Sequence, residues 1–408
     1  MSGKRNRVCN MESIKEIYKI GHGPSSSHTM GPYNAAIKFV KEHLEAESFR
    51  VTLYGSLAAT GKGHLTDKAV EDACALYHKP VTIIWEPQIF LPQHPNGIKF
   101  EALDSDGKSV KEWTTFSIGG GDLSDTGKRD PKTKRYSLST MARILQWCRS
   151  NGSTFWEYVV MHEEKDIFDY LAEVWRVMKG AVERGLETEG VIQGGLKLPR
   201  KAASYYIKAQ GYQGSMQRRT HVFAYALAVA EENASGGLMV TAPTCGSCGV
   251  LPAVLYLNQN HYDFSDERII RALATAGLIG NIIKTNASIS GAEVGCQGEI
   301  GSACAMASAA AVQLFGGSVA QIEYAASMGM EHFLGLTCDP VGGLVQIPCI
   351  ERNAFAAGRA IDANMFALLS DGHHLISFDT VVEAMKRTGH DLPRLYKETA
   401  EGGLAALM

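Results

Sequence analysis

No apolar run in this chain is long enough to span a bilayer; the Ala-rich stretch 303–315 is short and weakly hydrophobic, so no membrane association is expected. The basic opening MSGKRNRVCNMES is not followed by the apolar core of a secretion signal, and residues 1–12 read as a loose tail. Neither sign of charge dominates. Forty Lys and Arg stand against 43 Asp and Glu, for a formal net charge of −3. That leaves no basic field for a polyanion, and no nucleic-acid partner is expected. Nine cysteines, an odd number scattered through 408 residues, do not make a secreted disulfide framework. A soluble, cytoplasmic protein in a reducing compartment is expected. There is also no internal repeat and no low-complexity linker.

The length suits two domains, each able to bury a core. In the first part, SIKEIYK (13–19) reads as a short helix and YNAAIKFVKEHLEA (33–46) as an amphipathic one. FRVTLYGSL (49–57) alternates as a strand, TDKAVEDACALY (66–77) is helical, and PVTIIWEP (80–87) is a strand. Ser105-Asp106-Gly107 is a hairpin turn between two further strands. MARILQWCRSNGSTFWEYVVMHEE (141–164) reads as helical. From Asp166 onward helical periodicity takes over, with a stripe of Ile167, Leu171, Val174, Val177, Met178 and Ala181. Helices are expected at 217–234, 265–285, 302–317 and 318–332, the last opened by a Ser318–Gln321 capping box. The fold class is α+β: an α+β domain with a small antiparallel sheet over 1–160, then a mostly α-helical domain over 161–408. Small residues dominate these later helices, which favours close packing and a homodimer.

Three stretches carry chemistry. GPSSSHTMGP (23–32) puts Ser25, Ser26, Ser27, His28 and Thr29 just before a helix, where hydroxyls and backbone N–H groups suit an anion. Simple N-capping by one serine accounts for part of the same pattern. Gly55 to Lys62 comes near a phosphate loop, but five residues separate its glycines and Gly63 stands where a magnesium-binding hydroxyl belongs. A nucleotide site is rejected there; the turn brings Lys62 and His64 towards a small ligand. Third, Cys296 follows Gly295, Cys338 precedes Asp339-Pro340, and Cys349 follows Pro348. Three thiolates meeting at such turns would suit an iron–sulfur cluster with one iron left open. The alternative is that each is a small buried hydrophobe, as Cys304 in its Ala-rich run must be. Cys245 and Cys248 form a CxxC pair with no second pair at zinc spacing.

EVGCQGEIG, GLTCDPVGG and IPCIERNA, in this order, resemble the three cluster motifs of the iron–sulfur L-serine dehydratases. GHGPSSSHTMGP and YGSLAATGKGH resemble that family's other signatures, and the likeness runs from about Ile14 to Leu407. It implies a [4Fe–4S] cluster on Cys296, Cys338 and Cys349, whose fourth iron takes the hydroxyl of L-serine and makes the enzyme oxygen-sensitive. It also implies that the Ser25–Thr29 loop anchors the substrate carboxylate, with Lys62, Thr244 in TAPTCGSCG and Asn286 in NASISGAE nearby. His64, with His28 as second candidate, becomes the base for the Cα proton, a task suited to imidazole. No pyridoxal phosphate is expected, since no phosphate cup accompanies Lys62 or Lys284. Some members of the family carry a C-terminal cysteine that this sequence does not have. Elimination from L-cysteine or L-threonine, and a zinc or redox role for the cysteines, remain as rival readings.

Overall fold

The computed structural model describes residues 10–128 and 132–408; the first nine residues, Cys9 among them, lie outside the described residues. Two hydrophobic cores organise the molecule. The smaller gathers Ala35, Phe39, Val51, Leu53, Val70, Ile98 and Phe100 between a sheet and the helices Gly31–Glu42 and Thr66–Ala75. The sheet has five strands in the order Val81–Glu86, Ser48–Tyr54, Gly97–Leu103, Ser109–Ser117, Leu123–Ser124. Three of its pairings are antiparallel, and the Ser48–Tyr54/Val81–Glu86 pair is parallel, with the helix Thr66–Ala75 in the crossover. The expected hairpin turn is present: Asp104 Oδ1 accepts the N–H groups of Asp106 and Lys108, at 3.0 and 2.9 Å.

The larger core is helical and reaches across position 160: Tyr136, Ile144, Phe155 and Val159 share it with Leu171, Val174 and Met178. The α+β class holds. Two long helices, Asp266–Asn286 and Ser302–Leu314, are buried along most of their length, which is why their sequences show little amphipathic patterning. Small residues let their neighbours approach. A Cβ on Gly329, in the helix Val319–Glu331, would lie 2.8 Å from Ser308 Oγ and 3.0 Å from Ala305 Cα. The Ser318–Gln321 capping box forms as expected.

Four local readings need correction. Residues 11 and 12 are no tail: Met11 is fully buried and Met11–Glu12 pairs with Lys134–Tyr136. Residues 13–19 make a single 3₁₀ turn, Ile14–Glu16, although Ile14, Ile17 and Tyr18 keep helical spacing: Thr241 takes the Ile17 carbonyl and both backbone groups of Lys19, and the chain passes into the strand Ile20–His22. The strand expected to reach Leu57 ends at Tyr54, where Gly55 adopts φ +52° and a helix, Gly55–Thr60, begins. The helix expected through Glu164 is two, Met141–Asn151 and Phe155–His162, separated at left-handed Gly152. Among the described residues no helix is long and apolar enough to cross a membrane.

Candidate active site

The serine loop and the His64 turn are built as one unit. Ser25 caps the turn Ser26–Met30 by accepting the His28 N–H at 3.2 Å, so capping accounts for one hydroxyl of the row. Ser26 Oγ accepts the Gly120 N–H, and Ser117 Oγ donates to the Ser27 carbonyl at 2.7 Å, tying the loop to the sheet. Thr29 Oγ1 donates to the His64 carbonyl at 2.8 Å, and Thr66 Oγ1 donates to the His28 carbonyl at 2.6 Å. The two imidazoles therefore lie side by side, with ring centroids 4.7 Å apart.

Their hydrogen bonds give them different characters. His28 is engaged at both nitrogens, Nδ1 with Ser27 Oγ at 2.9 Å and Nε2 with Ser56 Oγ at 3.1 Å. Burial, then the neighbouring His64, pushes its pKa down to about 3. His64 Nδ1 meets the Thr60 carbonyl at 3.1 Å. A carbonyl can only accept, so Nδ1 carries the proton and the lone pair sits on Nε2. Burial also lowers the pKa of His64, keeping it neutral near pH 7. The turn is strained beside it, for Leu65 adopts φ +55°.

The three cysteines come from loops that are stitched together. Gly295, at φ +77°, lets Leu336 approach so closely that a Cβ there would lie 2.7 Å from its carbonyl oxygen. Gln297 N–H then donates to that carbonyl and Gly335 N–H to Gln297 Oε1, fastening the Cys296 turn to the Cys338 loop. Cys349 opens the helix Cys349–Leu368, where the positive end of the helix dipole favours a thiolate. One turn on, Arg352 donates to the Thr337 carbonyl and Asp339, and Asn353 donates to the Gly246 and Cys349 carbonyls while accepting the Gly249 N–H.

All three sulfurs are in buried residues, at 2, 4 and 8% exposure for Cys296, Cys338 and Cys349. Sγ of Cys296, Sγ of Cys338 and a Glu299 carboxylate oxygen lie within 4.8 Å of one another. Cys338 is pushed far up by its contact with Cys296 and by burial; Cys349 is pushed up by burial and by the charges of Cys296 and Glu299. As bare thiolates these groups repel. A bound cation reverses that balance, so the donor set fits a thiophilic metal group. Cys245 and Cys248 lie in the next loop and are buried, their thiols pushed up chiefly by burial. That is the opposite of a reactive redox pair.

The two halves of the site meet. Gly63, beside His64, packs against Leu344, in the loop between Cys338 and Cys349; a Cβ on Gly63 would lie 2.8 Å from Leu344 Cδ2. Thr244 donates to Glu299 Oε1 at 2.7 Å, on the cysteine side. Lys62 is exposed and holds its ammonium 5.7 Å from the Trp85 ring centroid. Asn286 Nδ2 is occupied by the Ser139 and Ile282 carbonyls, at 2.6 and 2.8 Å.

Sequence reasoning passed over Glu299, although the residue lies inside the quoted EVGCQGEIG, and Ser56, which lies inside YGSLAATGKGH. It also passed over residues 396–404. Tyr396 and Glu398 pair with the Cys338 backbone at 2.9 and 2.7 Å, and the Leu404 N–H donates to Asp339 Oδ2 at 2.8 Å. No periodicity marks that segment.

The serine dehydratase alpha chain family matches residues 45–405, and the serine dehydratase beta chain family matches residues 13–75. An L-serine dehydratase of Streptomyces coelicolor is 42% identical, over 96% of this chain and 98% of that protein. One from Haemophilus influenzae is 39% identical over 97% and 99%, and L-serine dehydratase 1 of Escherichia coli is 39% identical over the same shares.

Proposed function

Since the chain belongs to the L-serine dehydratase family, we propose that it converts L-serine to pyruvate and ammonia where the His64 turn meets the cysteine loops. Cys296, Cys338 and Cys349 would hold a [4Fe–4S] cluster, and no pyridoxal phosphate takes part. When bound, the cluster supplies an open, Lewis-acidic iron that stabilises charge on the departing hydroxyl oxygen.

The chain's own residues do the rest. Within Ser25–Thr29, the hydroxyls of Ser25 and Ser26, which accept from the His28 and Gly120 N–H groups, have protons to donate to the substrate carboxylate, whereas the Thr29 hydroxyl proton is spent on the His64 carbonyl. His64 takes the Cα proton at Nε2, the nitrogen its hydrogen bond to Thr60 leaves free. His28, held at both ring nitrogens and kept neutral, positions His64 by ring contact at a 32° tilt rather than by exchanging a proton. Loss of water leaves an enamine, which tautomerises and hydrolyses in solution. The observation that carries this reading is the contact of Gly63 with Leu344, which places the base-bearing turn against the loop between two of the sulfurs.

Anaerobic purification followed by metal analysis and a pyruvate assay with serine, threonine and cysteine tests it. The expected result is about four irons per chain and pyruvate from serine. Stoichiometric zinc, or no pyruvate from the iron-loaded protein, sinks it. Faster turnover of cysteine or threonine would transfer the activity to that substrate.

A further inference from the structure

One oxygen stands among the sulfurs. Glu299 Oε2 accepts from the thiol of Cys296 at 3.9 Å and from that of Cys338 at 3.8 Å, equidistant from both. Its other oxygen, Oε1, is fixed by the Thr244 hydroxyl, which also meets Ser247 at 3.0 Å. Two glycines clear space around the carboxylate: a Cβ on Gly291 would lie 2.7 Å from Oε2 and 3.0 Å from Cys338 Sγ, and one on Gly246 3.2 Å from Oε1.

Among the described residues no Lys or Arg forms an ion pair with Glu299. Arg352, whose charge reaches Glu299 and the sulfurs of Cys296 and Cys349, makes its ion pair with Asp339 and donates to the Thr337 carbonyl. A partly buried carboxylate with no ion pair among the described residues, wedged between two thiols, is costly by itself. The cost is relieved if a metal occupies the space the three groups share. With Cys349 the set would come to three sulfurs and one oxygen, one donor for each of the four irons of a cubane.

We infer that Glu299 is the fourth donor of the site: in the substrate-free enzyme its Oε2 ligates the iron that Cys296, Cys338 and Cys349 leave open. The inference rests on the cluster reading given above. It also accounts for the kind of donor. A carboxylate oxygen is a harder, more readily exchanged ligand for this iron than a fourth thiolate. Substrate would then have a carboxylate oxygen to displace, with the serine hydroxyl taking its place. Thr244, through Oε1, holds the displaced carboxylate in place for the reverse exchange.

The test uses the anaerobically reconstituted full chain in isotopically labelled water, without substrate. Electron–nuclear double resonance on the reduced cluster reports whether solvent oxygen is bound to iron. Wild type is expected to show no bound water, and Glu299→Gln and Glu299→Ala to show it strongly. A second readout is loss of the open iron under mild oxidation, followed by the EPR signal of the three-iron form. It should be roughly tenfold faster in Glu299→Gln. Bound water in substrate-free wild type overturns the inference, as does an unchanged rate of iron loss in the variant. If the variants load no cluster, the wild-type spectrum decides alone. A wild type that loads the cluster and turns over serine yet shows water refutes only the role of Glu299. A wild type that takes up no cluster refutes the parent reading as well.

Discussion

Replacing His64 by alanine removes the one imidazole nitrogen of the His28–His64 pair that has no partner among the described residues. The loss is that of a general base, roughly 10²- to 10⁴-fold in kcat/KM, equivalent to about 3–5 kcal/mol of transition-state stabilisation. His64→Asn is the sharper variant, because its amide N–H can still reach the Thr60 carbonyl that His64 Nδ1 meets at 3.1 Å. The turn is thereby kept while the base is lost. The assay is anaerobic pyruvate formation from serine, with iron content measured on the same samples. Exchange of the Cα hydrogen with solvent deuterium should fall in parallel. The pH profile gives an independent check. The neutral imidazole is the active form, and burial lowers its pKa below the ordinary value of 6.5. In wild type, kcat/KM should therefore stay level from pH 8 down through 6.5 and fall only at more acid pH. Full iron loading with turnover within a few-fold of wild type in both variants would refute the assignment. So would an acid limb at or above pH 6.5.

Cys349→Ala should lower bound iron and abolish pyruvate formation while leaving the circular dichroism of the helical body unchanged; full four-iron loading would remove Cys349 from the ligand set. Asn353→Ala strands the Gly249 N–H and the Gly246 carbonyl, at about 1–3 kcal/mol for each group. It should lower the melting temperature of the cluster-free protein, and an unchanged melting curve would contradict the hydrogen-bond accounting. Gly329→Ala forces a methyl against Ser308 and Ala305 and should cost about 1–3 kcal/mol by overpacking, read by denaturant titration. A neutral result would mean the two helices separate more freely than their contact suggests.

The helical half was legible because its signals are local. Ser318 and Gln321 sit at capping-box spacing, and the small residues of 302–314 leave little choice but burial. The strand-to-helix change at Gly55 was misread since nothing in YGSL announces that Gly55 must take a positive φ and lie close to the Pro95 carbonyl. The Ile14–Glu16 turn was misread because Ile14, Ile17 and Tyr18 do keep helical spacing, while Thr241, far along the chain, takes the backbone groups that a longer helix would need. At the site, the cysteines and histidines could be picked out by motif, but their division of labour could not. Which ring nitrogen of His64 lacks a partner among the described residues depends on Thr60, and both nitrogens of His28 meet hydroxyls, those of Ser27 and Ser56. The Glu299 contact joins residues 296, 299 and 338 with no periodic trace in the sequence.

The segment from Met11 to Met30 is rooted in the later helices. Tyr18 Oη donates to the Leu273 carbonyl, Asn281 to that of Glu12, and Ile20–His22 pairs with Leu238–Val240. During synthesis, then, this segment has to wait for partners translated more than two hundred residues later. Contacts of such long range slow folding. The pairing of Ile20–His22 with Leu238–Val240, just ahead of the hydroxyl-rich loop, therefore forms only after the helical half has begun to emerge.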